Sequence, residues 1–158
     1  MYKACMLDKD NKPTELYDSV KNVNAELQTF ASAFLAYDWV RTFGITDFSD
    51  GQGSTAIGLL SEDVDFSDRR YLSSVETTGD CLIGCFEREE DEGYLLVNFR
   101  DSRMKEFEVS LTLKGEADYL AVYGGEGATK DPEIVKANKQ VCKITLKSGE
   151  GKFVVPLK

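Results

Sequence analysis

The sequence predicts a mainly β protein: an antiparallel β-sandwich preceded by one long amphipathic α-helix. Two observations carry that expectation. The large apolar residues Leu16, Val20, Val23, Leu27, Phe30 and Phe34 step by 4, 3, 4, 3 and 4, which is the spacing of one helix face. After residue 36 the pattern changes to short runs rich in aromatic and β-branched residues, separated by turn signals, as in an antiparallel sandwich.

Taken in order, "YKACML" reads as a short buried strand and "DKDNKP" as a turn ended by Pro13. Thr14 is a suitable N-cap, and Glu15 lies in the first turn, where the helix dipole favours a carboxylate. Ala31 and Leu35 widen the apolar stripe of the helix. "YDWVRTFGITDF" then reads as strand, "SDGQGST" as loop and "SEDVDFSDRR" as irregular. Strands follow in "YLSSVET", "DCLIGCFER", "GYLLVNFR", "KEFEVSLTL", "DYLAVYGG", "VCKITL" and "KFVVPLK". Phe107, Val109, Leu111 and Leu113 alternate with Glu108, Ser110 and Thr112, so one face of that strand is apolar. "EREEDEG" is the polar tip of a hairpin, "GGEGATKDPE" a loop and "KSGEGK" a tight turn.

At 158 residues and 42% apolar, the chain is long enough for one domain with a proper core, with or without an appendage. The net charge of −9 argues against nucleic acid and anionic membrane as partners, because both call for a basic face. No apolar run reaches the ~18 residues of a membrane span. The first residues lack the basic-then-apolar build of a signal peptide, so a cytoplasmic location is expected. Cys81 and Cys85 share a strand, where four residues span ~13 Å, beyond the ~7 Å that a disulfide tolerates. With Cys5 and Cys142 they read as buried free thiols.

Searching for chemistry gives little. "GQGSTA" has the spacing of a dinucleotide loop, but "IGLLSEDVDFSD" after it is a poor helix, so no cofactor is expected. "GGEGATK" lacks the Gly-Lys-Ser/Thr ending of a phosphate loop. Histidine is absent, which removes the usual base for a serine or cysteine nucleophile. It also leaves one loose cysteine pair, too little for zinc, so no metal is expected. The acidic runs "EDVDFSD" and "EREEDE" do not fit the EF-hand pattern and read as solvated loops. Trp39, the single tryptophan, reads first as a packing residue at a helix–strand junction. The alternative is a sugar platform built from exposed rings among Trp39, Tyr71, Tyr94, Tyr119 and Tyr123, with Trp39 and Tyr123 as its candidate contacts.

"LDKDNKPTELYDSVKNVNAELQTF" followed by "FLAYDWVRTFG" resembles the end of a barrel-type glycoside hydrolase, of the β-galactosidase-related kind in families 42 and 35. The resemblance sets Asp8 to Thr14 on the turn after the last barrel strand, with Asn11 in place of a glycine. Leu16, Tyr17, Val20, Asn24 and Glu26 fall on the final barrel helix, and Asp38 and Trp39 on the segment leading to a C-terminal β-sandwich. "LIGCFEREEDEGYLLVNF" and "KSGEGKFVVPL" are similar to hairpin and closing-strand patterns of such sandwiches.

The resemblance implies that residues 1–36 are the remnant of a (β/α)8 barrel end and 37–158 the sandwich. A barrel alone takes ~250 residues, so the chain would be a non-catalytic piece of a larger enzyme. The family's catalytic glutamates lie on earlier barrel strands, and no catalytic residue transfers to this chain. Glu150, between two glycines, is expected to be a turn residue. The implied partner is the catalytic barrel of the same parent chain, contacted through Leu16, Val20, Val23, Leu27, Phe30 and Phe34. A homo-oligomer contact and a carbohydrate remain open as further partners. Left uncovered, each of those six side chains forgoes ~1.5–3 kcal/mol, so the stripe is expected to be covered within the chain or in a dimer.

Overall fold

A computed structural model describes residues 6–45, 64–99, 106–125 and 129–158. Among the described residues one helix, α1 (Glu15–Phe34), precedes nine strands. They are β1 (Asp38–Ile45), β2 (Leu72–Thr77), β3 (Cys81–Arg88), β4 (Asp91–Asn98), β5 (Phe107–Leu113), β6 (Tyr119–Tyr123), β7 (Glu133–Lys136), β8 (Val141–Leu146) and β9 (Gly151–Leu157). They form a six-stranded sheet, β1-β3-β4-β9-β6-β7, and a three-stranded sheet, β2-β5-β8. Every strand pairing is antiparallel. The predicted class, a β-sandwich preceded by one amphipathic helix, is the class observed.

The main core lies between the two sheets. β5 supplies Phe107, Val109, Leu111 and Leu113, and β8 supplies Cys142, Ile144 and Leu146. The larger sheet answers with Cys81, Ile83, Cys85, Tyr94, Leu96, Leu120, Val122 and Val154. Side chains alternate across a strand, so the residues between these point outward. In β3, β4, β6 and β9 these outward positions hold Phe86, Leu95, Ala121, Phe153 and Val155, which make a second apolar cluster on the far side of the sheet. The helix packs there through Phe30, Ala33 and Phe34.

Residues 64–71 run across one end of the sandwich, pinned by side chains from both sheets. Phe66 packs its ring 5.1 Å from that of Phe43. Lys114 donates to the carbonyls of Phe66 and Ser67. Glu92, a buried carboxylate, accepts from the amides of Arg70 (2.7 Å) and Tyr71 (2.9 Å) and from the Tyr94 hydroxyl (2.9 Å). Arg69, also buried, pairs with Asp68 and with Glu87 at 2.6 Å, and Arg41 pairs with Asp68. The Arg69 hydrogen bond holds the Asp68 carboxyl below the usual range, and the same bond raises Arg69.

Several local expectations change. Thr14 is the N-cap by backbone, but its hydroxyl donates to the Met6 carbonyl instead of capping α1. The turn at Asp8 is held by the Asp8 carboxylate, which accepts from the amides of Asp10 and Lys12, with Asn11 in the left-handed region at φ 60°. Of "YKACML" only Met6 and Leu7 are described, and both are exposed; Cys5 and the "SDGQGST" loop lie outside the described residues. β7 was not anticipated: Glu133–Lys136 is a short, largely exposed edge strand. Glu92, placed by its sequence context on a solvated hairpin tip, is buried. Cys81, Cys85 and Cys142 are free and buried, as expected.

Candidate interaction surface

Five rings build the junction between α1 and the six-stranded sheet. Phe153 on β9 is fully buried outside the main core. Its ring centre lies 5.5 Å from Phe34, 5.4 Å from Tyr37 and 5.9 Å from Phe86, all edge-to-face. Phe34 lies 4.9 Å from Phe86 and 6.2 Å from Phe30. Such pairs add ~0.5–1.5 kcal/mol each beyond burial. The Arg88 guanidinium sits 4.8 Å over the Tyr37 ring, closing one side.

Two glycines make the seat. A Cβ on Gly93 would lie 2.3 Å from the Phe153 ring, so a side chain there would displace it. Gly124 has φ +90°, and a Cβ there would come within 3.1 Å of Phe30. The sandwich backbone is shaped to receive the C-terminal half of the helix.

The N-terminal half is not received. Phe30 is buried and Phe34 and Val20 are half-buried, whereas Leu16 (39%), Val23 (53%) and Leu27 (49%) are exposed. Of the six stripe residues, the structure therefore commits Phe30 and Phe34 to the chain's own sheet. Leu35 and Val40 are exposed beside them, and Trp39 is 64% exposed. A groove of about 440 Å³ runs between α1 and the sheet. Val23, Leu27, Phe30 and Leu35 line one wall, and Leu95, Val97 and the turn at Gly149–Gly151 line the other.

Trp39 pairs across the ladder with Phe86, and a bulge between Trp39 and Arg41 sends Arg41 to the opposite side, across from Cys85. The indole is thus on the same outer face as α1, and its Nε1 donates to the Thr42 hydroxyl at 3.1 Å, which fixes the ring. Tyr123 is half-buried against Phe153. β3, β4 and β9 separate the strands of Trp39 and Tyr123, a spacing of ~19 Å, so the two rings do not share one platform. Tyr94 and Tyr71 are buried in the main core and Tyr119 is half-buried under Lys136, which removes the first two as contacts.

Glu150 accepts from the Lys147 amide at 2.7 Å in the β8–β9 turn, the structural role expected of it. Arg88 pairs with Asp91 at the hairpin tip. Among the described residues no three metal-ligating side chains converge, and no helix is long and apolar enough to cross a membrane. Burial pushes the Cys85 thiol up to about 11 and Cys81 up to about 12, which makes both poor nucleophiles.

Comparison with protein-family models, curated proteins and solved structures finds no match to the chain.

Proposed function

We propose that the chain is a non-catalytic β-sandwich module that braces a second folded body through α1, and that this body is the catalytic barrel of a β-galactosidase-like glycoside hydrolase. The observation that carries the reading is the divided helix: one half is seated in a glycine-lined cradle, the other presents Leu16, Val23 and Leu27 to solvent. Monomeric domains seldom leave such a continuous apolar strip uncovered unless it has a partner. The sequence patterns around the helix, "DW", "VN" and "GEG" supply the identity of that partner. On this reading residues 1–36 belong physically to the barrel wall and 37–158 form the brace.

The test is to read the coding sequence immediately upstream of the Met1 codon and to assay both products on aryl glycosides. The expected result is an open frame encoding several hundred residues with alternating strand and helix periodicity, with hydrolysis by the long product and none by this chain. A stop codon directly upstream, or turnover by the chain alone, overturns the reading.

Trp39 favours a second reading, a carbohydrate-binding module, because its exposed ring is held rigid by Thr42. Calorimetric titration with a panel of galactosides and plant polysaccharides decides it. Heat that disappears in Trp39→Ala supports this reading, and silence across the panel removes it.

A further inference from the structure

We draw no further inference here: the strongest candidate, the apolar groove between Val23, Leu27, Phe30 and Leu35 of α1 and Leu95 and Val97 of the six-stranded sheet, is an unpartnered face, and nothing in the structure shows what covers it.

Discussion

The two sheets of this sandwich turn opposite kinds of surface outward. On the three-stranded sheet the outward residues are mostly polar, Ser74, Glu76, Glu108, Ser110, Thr112, Lys143 and Thr145 beside a single Val141, with Lys143 paired to Glu108 across strands at 2.6 Å. On the six-stranded sheet they include Trp39, Phe86, Leu95, Val97, Phe153, Val155 and Ile134. Both sheets bury their inner faces equally well, so the core does not explain the difference. A sheet with polar outward positions has one neighbour, its partner sheet. A sheet apolar on both faces has two, and α1 covers only the middle of the second face. On the proposed function, the asymmetry reflects a second body against this side of the molecule.

Perturbing each side measures how deep that contrast runs. Phe153→Ala should have the largest effect, because it removes the ring that Phe34, Tyr37 and Phe86 touch. A loss of ~3–5 kcal/mol in urea unfolding is expected, with α1 amides exchanging faster than those of β5. Glu92→Ala should cost ~2–3 kcal/mol, since the Arg70 and Tyr71 amides and the Tyr94 hydroxyl lose their shared acceptor. Gly93→Ala should cost ~1–3 kcal/mol by pushing Phe153 off its seat, read as a lower urea midpoint with unchanged slope.

Stability should also fall at both ends of the pH scale, for different reasons. Cys81 and Cys85 have raised folded pKa values. Above ~8.5 the unfolded thiols ionise while the folded ones do not, so stability declines as pH rises from there toward 11. Asp68 has a lowered folded pKa, so its contribution is present above ~4 and fades as pH falls below that. A urea midpoint measured from pH 3 to 10.5 should give a plateau near neutrality with both flanks falling. The smallest effects separate the two outer faces. Glu108→Ala on the polar face should change stability by less than ~0.5 kcal/mol, because the pair is exposed. Leu27→Asp should be equally mild for stability yet abolish dye binding to exposed apolar surface or self-association of the chain.

Much of this was legible from residue spacing. Strict alternation in "FEVSLTL" fixed which residues of β5 face inward, and the 4-3-4 stepping fixed the helix and its stripe. What could not be read was which neighbour each apolar face meets. In β3 and β9 both faces are apolar, so period-2 reading found a strand but not that Phe86 and Phe153 look outward toward α1. β7 escaped because its four residues, Glu133–Lys136, show one half-buried position, too short a pattern to stand out from a loop. Glu92 looked like its neighbours Glu89 and Glu90; only the fold brings the Arg70 and Tyr71 amides to it from over 20 residues away. Tyr94 and Tyr71 were offered as surface rings because tyrosine is read as amphipathic, yet Tyr94 buries its ring and places its hydroxyl on Glu92. The divided helix was legible as a stripe, but the point of division, between Leu27 and Phe30, depends on where the Gly124 backbone lies.

Hydroxyl-radical footprinting tests the central claim most directly. It would compare oxidation of Leu16, Val23, Leu27 and Trp39 in this chain alone with the same residues in the longer product that the proposed function predicts. Strong oxidation in the isolated chain that drops severalfold in the longer product, while Ile144 and Leu111 stay protected in both, is the predicted result. Equal oxidation of the stripe in both proteins would contradict it.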